Sequence, residues 1–403
     1  MGFALEGVRV LDWTVFQQGP AGTMMLAELG ADVIKIEHPE HGDYGRSNLG
    51  QRHKVNGQSV YPRSYFDSFN RSKRSVKLDL GTDQGRAILH KMLPLADVFV
   101  SNYRVGVAEK LGIDYKTLRK YNPTLIYAHA TGFGPKGPDA RLPSVDSVSA
   151  LRAGISSIMG DPGQPPVWPY STTDQAGAGM LACGILTALY QRAVTGRGQM
   201  VETSLMGTSI WLQSVRMDEY LFSGIPTEKV SQKTRAIPNV FQCKDDKWVI
   251  INLTSSVERG TWGNLCRILG LKDLAEDPRY TTVDGRLDSA VELNERVGAV
   301  IRQRTRKEWL DILRDSGLPS GPVQDQPEVA SDPQVIANNY IADFPTLNRG
   351  THKMVGHPMH LSETPMQCKG PAPEWGQHTE EVLIELCGYT WDDILVLQEA
   401  RAI

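Results

Sequence analysis

One carboxylate stands where reactive chemistry could be done. Asp174 lies in the run WPYSTTDQAGAG, Trp168 to Gly179. A short polar stretch, Ser171-Thr172-Thr173, precedes it, and Ala176-Gly177-Ala178-Gly179 follows with almost no side-chain bulk. An apolar helix pattern begins at Met180, stops at the turn Thr195-Gly196-Arg197-Gly198, and gives way to a strand-like run, Met200 to Leu205. Small residues beside a carboxylate at a helix mouth let a large ligand approach closely. Such a carboxylate can attack a carbonyl or simply cap the helix; spacing alone favours the cap.

Other reactive patterns are weaker. Arg71, Lys73 and Arg74 stand just before a strand, and Arg104 and Lys110 follow another. These cations could hold phosphates or form a solvated rim. His38 and His41 sit among Glu37, Glu40 and Asp43, and His357 and His360 are three apart. Neither pair has an HExxH pattern or a partner motif that completes four ligands, so both read as surface residues and no metal is expected. There is no GxSxG nucleophile motif and no cysteine at a known spacing from histidine. The first β-α-β unit has Gly19-Pro20 at its helix start and Glu37 near the place of a ribose-binding acid. It lacks the three-glycine fingerprint, which argues against a nicotinamide dehydrogenase, and no phosphate-binding lysine motif supports ATP-driven activation.

The elements that must position Asp174 alternate along the chain. Val8 to Asp12 reads as a buried strand, Ala21 to Leu29 as a helix with Pro20 at its first position, and Asp32 to Glu37 as a second strand. Ser75 to Leu80, Asp97 to Asn102 and Leu125 to Thr131 are further strands, with helices at 82–95 and 106–111. This alternation predicts a parallel α/β sheet, with helix starts at the strand ends as natural anion sites. After about Gly224 the character changes to a hairpin, Asn239 to Leu253, and helices at 256–269, 288–303 and 306–316. The expected domains are 1–224, a smaller α+β domain at 225–330, and a return segment at 331–403.

A chain of 403 residues with a net charge of -3 shows no nucleic-acid signature, so an anionic ligand must be held by local charges. Five widely spaced cysteines and no CxxC point to reduced thiols in the cytoplasm. No apolar run reaches membrane-spanning length, and the N-terminus lacks a signal-peptide pattern.

A series of short motifs resembles the family III CoA-transferases, the CaiB/BaiF group, over nearly the whole length. They are LEGVRVLD at Leu5 to Asp12, LAELGADVIKIE at Leu26 to Glu37, NRSKRSVKLDL at Asn70 to Leu80 and ATGFGPKGP at Ala130 to Pro138. TGRGQMVETSL at Thr195 to Leu205, DPRY at Asp277 to Tyr280, GLPSGPV at Gly317 to Val323 and GQHTEEVL at Gly376 to Leu383 complete the series in order. The resemblance implies a large Rossmann-like α/β domain built from both chain ends, a smaller α+β domain, and an interlinked homodimer. It implies a CoA-transferase whose substrates are an acyl-CoA and a carboxylic acid acceptor, with no permanently bound cofactor.

The family's nucleophile falls on Asp174, and the residue beside it on Gln17. Gln18, His38, Asn102, Tyr103, Arg104, Lys110 and Asp146 fall at or beside the family's CoA contacts. Some relatives carry arginine where this chain has His38. Racemases of the same family pair the aspartate with a histidine in a GHD motif; here Val145 replaces that histidine, and valine carries no proton, so racemisation is disfavoured. Formyl-CoA:oxalate enzymes insert a glycine-rich loop before the small domain's hairpin, whereas here 235–239 leads straight into it. Gly134 to Gly154 resembles the branch that acts on 2-hydroxyacids, with the carnitine and benzylsuccinate transferases left as alternatives. A CoA-binding protein without turnover is the remaining alternative.

Overall fold

The computed structural model describes residues 2–47, 53–55, 58–60, 64–237, 239–253, 258–347 and 350–403. Its strands form where short β-branched runs occur. The first four are β1 (Arg9–Trp13), β2 (Asp32–Glu37), β3 (His53–Val55) and β4 (Gln58–Val60), followed by β5 (Arg74–Lys77), β6 (Val98–Ser101), β7 (Ile126–Thr131) and β8 (Met200–Ser204). The helices between them are α1 (Gln18–Glu28), α2 (Tyr65–Asn70), α3 (Asp83–Met92), α4 (Val107–Leu111) and α5 (Tyr115–Leu118). α6 (Asp146–Arg152), α7 (Thr172–Thr195), α8 (Leu205–Leu212) and α9 (Ser214–Ser223) follow.

The chain divides into two units. One comprises Met1–Ile155, Trp168–Gly224 and Ile336–Ile403, and the other Ser156–Val167 and Ile225–Val335. The larger unit holds a six-stranded sheet in the order β5-β2-β1-β6-β7-β8, all pairs parallel. This is a doubly wound order, and it reverses direction between β1 and β6, where such sheets open a crevice at their carboxyl ends. Side chains alternate across the strands, so each face has its own core. Val10, Val33, Val98, Val100, Ile126 and Ala128 pack under α1 and α7, while Leu11, Ile34, Val76 and Phe99 pack on the opposite side with Ile88, Leu89 and Met92 of α3.

Two close approaches fix α7. Gly198 begins the turn into β8, where an added Cβ would lie 2.3 Å from the Leu125 carbonyl oxygen. Gly22 of α1 lies so near α7 that its Cβ would meet the Ala178 carbonyl at 3.1 Å. The small-residue run after Asp174 therefore serves helix–helix contact.

The smaller unit carries an antiparallel sheet of β9 (Asn239–Gln242), β10 (Trp248–Ile251) and β11 (Ser320–Val323). Around it are α10 (Glu258–Leu269), α11 (Lys272–Glu276), α12 (Val283–Asp288), α13 (Ala290–Ile301), α14 (Arg306–Arg314) and α15 (Gln326–Ser331). Phe241, Val249, Leu265, Leu293, Val297 and Trp309 form its core. The chain then runs through α16 (Pro333–Ala337), the hairpin of β12 (Ile341–Thr346) and β13 (Gly350–Val355), α17 (Thr379–Cys387) and α18 (Trp391–Glu399). α17 packs beside β5 and α3.

Several sequence expectations change. α1 starts at Gln18, so Pro20 is its third residue, and α7 starts at Thr172 rather than Met180. The basic cluster is not a phosphate rim. Arg71 and Lys73 are buried, Arg71 on Glu28 at 3.0 Å and Lys73 on Asp12 at 2.9 Å. Arg74 pairs with Asp32 at 2.6 Å and with Glu385 at the amino end of β5. Glu37 is no ribose ligand either: buried, it accepts from Arg46, Ser75 and the Asp43 amide. Positions 256 and 257 of the helix expected at 256–269, and Pro238 of the 235–239 stretch, lie outside the described residues.

The most demanding local feature is Lys35, a cation inside the buried strand β2. Its Nζ lies 2.7 Å from Asp43 Oδ2, and neither side chain has solvent contact. Burial works against its charge, but Asp43, Asp12 and Glu37 together hold its pKa above the ordinary lysine value. Replacing Lys35 with Met strands the Asp43 carboxylate, a loss of about 3–5 kcal/mol. Urea unfolding should show that loss for Lys35→Met, and a smaller one for Lys35→Met combined with Asp43→Asn, which leaves no charge unpaired.

Candidate active site

The crevice between β1 and β6 is lined by the chain leaving each strand. After β1, three consecutive residues are pinned. Lys35 Nζ donates to the Thr14 carbonyl at 2.9 Å. Asn102, which follows β6, accepts from the Val15 amide and donates to the Val15 carbonyl, both at 2.8 Å. The Phe16 amide donates to Asp43 Oδ1 at 2.9 Å. Phe16 is held at φ 64, a left-handed conformation unusual for a non-glycine residue, and its ring is exposed and stacked on Tyr44. Backbone strain of this kind gathers at functional sites.

Gln17 and Gln18 come next and are nearly buried. The Gln17 amide reaches the start of α7, donating to Gln175 Oε1 at 3.3 Å and the Ser171 carbonyl at 3.5 Å. Bonds of that length are weak and leave the donors available for a better acceptor. The Gln18 amide lies on Gly177, where an added Cβ would approach Nε2 to 2.7 Å, and this Nε2 is buried without a partner. Asp174 occupies the first turn of α7; Ser171, at φ 56, is the N-cap residue. The Asp174 amide donates to Asp146 Oδ1 at 2.9 Å. Gln17, Gln18 and Asp146 thus each contact the first turns of α7, the helix that carries Asp174.

The remaining sequence candidates stand just past the strand ends, except Lys110, which is in α4. Tyr103 stacks on Trp13 at 4.1 Å, and its carbonyl accepts from His129 Nε2 at 2.8 Å. His38, just past β2, stacks on His41 at 4.0 Å, and its Nε2 lies 3.7 Å from Asp79. Arg104 and Lys110 are exposed, and neither has an ion-pair partner among the described residues. Sequence reasoning misses Lys35, Phe16 and Tyr65, and it names Asp43 only as a possible metal ligand beside His38 and His41. Lys35 carried a usable signal, since a charge inside the run DVIKIE is rare in a buried parallel strand. Tyr65 carried none. Burial, and then the charges of Asp174 and Asp43, raise the pKa of its hydroxyl, which places it in the field of Asp174.

Comparison with known proteins is consistent across sequence and structure. The sequence profile of CoA-transferase family III matches residues 5–379. The chain is similar to a formyl-CoA:oxalate CoA-transferase of Rhodopseudomonas palustris, 32% identical over 423 aligned positions covering 99% of this chain and 97% of that protein. It is similar to a succinyl-CoA–D-citramalate CoA-transferase of Chloroflexus aurantiacus, 31% identical over 402 positions and covering 99% and 98%. The crystal structure of a CaiB/BaiF family protein from Brucella suis superposes with a TM-score of 0.82 at 29% identity, covering 96% of this chain and 100% of that one.

Burial, and then the Asp146 carboxylate, push Asp174 up to about 7. The sign of the stability effect follows. Unfolded, the group titrates near 3.8; folded, near 7. Between those values the unfolded chain releases a proton that the folded protein keeps, so stability falls as pH rises. The full shift corresponds to roughly 4 kcal/mol, and screening at a partly exposed carboxyl leaves on the order of 1–2 kcal/mol. Asp174→Asn should therefore melt higher than wild type at about pH 8 and level with it near pH 4, measured by calorimetry at the two pH values.

Proposed function

The chain belongs to CoA-transferase family III and is a CoA-transferase, and we propose that it moves CoA from an acyl-CoA to an organic carboxylic acid with Asp174 as nucleophile. The observation that carries this reading is a part-buried carboxyl, raised to about 7, in the first turn of α7, with the Gln17 amide weakly bonded to that same helix start. A carboxylate with a raised pKa is a better nucleophile once ionised, and above neutrality it is ionised. It attacks the thioester carbonyl, giving a mixed anhydride and CoA thiolate. The thiolate returns to the aspartyl carbonyl, releases the first acid and leaves an aspartyl-CoA thioester. The acceptor carboxylate attacks that thioester, and the freed thiolate takes the acyl group from the second anhydride, restoring Asp174. Thioester energy is moved rather than made, so no ATP enters. In each addition, negative charge collects on a carbonyl oxygen, and the loosely held Gln17 amide is the donor proposed to meet it.

For CoA, the switch-point crevice is the proposed seat. Arg104 and Lys110 are free to meet phosphates, with Gln18, His38, Asn102, Tyr103 and Asp146 at its sides. As acceptor we propose a 2-hydroxyacid. Citramalate is one, and the match to the citramalate enzyme runs over 402 positions, whereas the match to the formyl-CoA:oxalate enzyme needs 423 for a chain of 403 residues. The formyl-CoA:oxalate enzyme thus carries residues without a counterpart here. Val145 is 58% exposed and cannot take a proton, which disfavours the epimerase reading. An interlinked homodimer is the proposed assembly. Tyr190 and Val194 of α7, Trp211 of α8, and Val215, Leu221 and Phe222 of α9 are all exposed, Phe222 by 94%, and apolar exposure on that scale calls for a partner surface.

Incubation with acyl-CoA followed by hydroxylamine or borohydride should mark Asp174, and Asp174→Ala should lose at least about a thousandfold in kcat. Undiminished transfer by Asp174→Ala, or a label at another residue, refutes the assignment. With a 2-methylacyl-CoA in deuterated water, mass spectrometry should find no deuterium at C2.

A further inference from the structure

α7 begins without a cap of its own. Its N-cap residue, Ser171, takes a left-handed conformation and its side chain makes no capping bond. A helix start leaves its first N–H groups without intrahelical acceptors. The Asp174 N–H finds one outside the helix, at Oδ1 of Asp146, 28 positions earlier in the chain and 2.9 Å away. Asp146 is the first residue of α6. Its second oxygen, Oδ2, is buried and has no hydrogen-bond partner. A carboxylate with half its acceptor capacity unmet is therefore held against the backbone of Asp174.

We propose that Asp146 is a positioning residue for Asp174: it caps the helix that carries Asp174 and holds a second carboxylate against its backbone. This rests on the reading of Asp174 as nucleophile. Asp146 stands out among the ionisable groups of the neighbouring elements. α1 offers the neutral amides Gln17 and Gln18, and its carboxylate Glu28 is engaged by Arg71 and His357. From α2 comes Tyr65, whose hydroxyl stays protonated, and beside it Asp43 is paired with Lys35. Tyr170 precedes α7 and is largely exposed. α8 has no ionisable side chain. On β7, His129 is bonded to the Tyr103 carbonyl, and Glu202 on β8 is exposed. Arg152 of α6 pairs with Asp139, and Arg192, in the last turn of α7, with Asp97. Burial opposes ionisation of Asp174 most, and the one neighbouring charge that adds to it is that of Asp146.

Two substitutions separate the two roles. Asp146→Asn keeps an oxygen for the Asp174 N–H and removes the charge, whereas Asp146→Ala removes both. The pH dependence of kcat/KM for the acyl-CoA reports ionisation in the free enzyme. In both variants its acid limb should move to lower pH, each unit of displacement raising the rate well below the limb about tenfold relative to that variant's plateau. The plateau itself should fall further in Asp146→Ala than in Asp146→Asn. The Asp174 ionisation is followed independently by ¹³C NMR of carboxyl-labelled aspartate, assigned with Asp174→Asn. A carboxyl titration that does not move in Asp146→Asn overturns the inference, whatever the rate limb does. A carboxyl titration that moves while the rate limb stays fixed overturns instead the assignment of Asp174 as nucleophile.

Discussion

Beneath the crevice, two ammonium groups and two carboxylates are buried with no solvent contact: Lys35 with Asp43 and Lys73 with Asp12. Burial opposes ionisation of Asp12, yet Lys73 and Lys35 hold its carboxyl below the usual range. Such pairs are seldom a net source of stability, because desolvation offsets most of the attraction. What they supply here is register. Lys35 fixes the Thr14 carbonyl, Asp43 fixes the Phe16 amide, and Lys73 holds the Pro20 carbonyl at the first turn of α1. The segment between β1 and α1 is thereby tied down at both ends; Gln17 lies within it and Gln18 opens α1. An apolar replacement would pack as well but would not choose one conformation of that loop.

The sheet order makes this register useful. In β5-β2-β1-β6-β7-β8 the chain runs outward from β1 in one direction and then from β6 in the other. The loops after these two strands diverge and leave the crevice, and Asn102 spans it by bonding both polar groups of Val15. α7 returns over the same face, with Gly22 and Gly177 allowing contact too close for larger residues. The helix that presents Asp174 is thus docked on the helix that presents Gln18, and the site inherits its geometry from helix packing.

How much of this was legible depended on whether the deciding partner was near in sequence. The strands β1, β2, β6 and β7 were readable because a parallel sheet buried on both faces writes itself as short apolar runs. For α7 the apolar pattern begins only at Met180, eight residues after the helix itself. Its first turns are Thr, Asp, Gln, Ala and Gly, which carry no apolar period, and its cap comes from Asp146 rather than from a neighbour. Arg71 and Lys73 resembled a solvated cluster because Glu28 and Asp12, which neutralise them, lie 43 and 61 positions away. For Asp174, local spacing favoured a helix cap, and only the family resemblance pointed to chemistry. The structure gives the cap position to Ser171, and an acceptor for the helix's free amide to Asp146.

The protonation of Asp174 is decided by competing terms of unequal size. A carboxylate in the first turn of a helix gains about 0.3–1 kcal/mol from the dipole. That favours the anion and would lower the pKa by less than about one unit. Burial and Asp146 act the other way and win, since the group moves from 3.8 to about 7. In the proposed reaction this opposition is not static. As Asp174 bonds to the thioester carbon its charge passes to the carbonyl oxygen, so the repulsion from Asp146 fades while the Gln17 amide gains a charged acceptor. Interactions that change sign or strength along the reaction path lower the barrier, whereas those felt equally throughout do not. A carboxylate that is costly to ionise in the resting protein is, by the same forces, one that gains by giving its charge away.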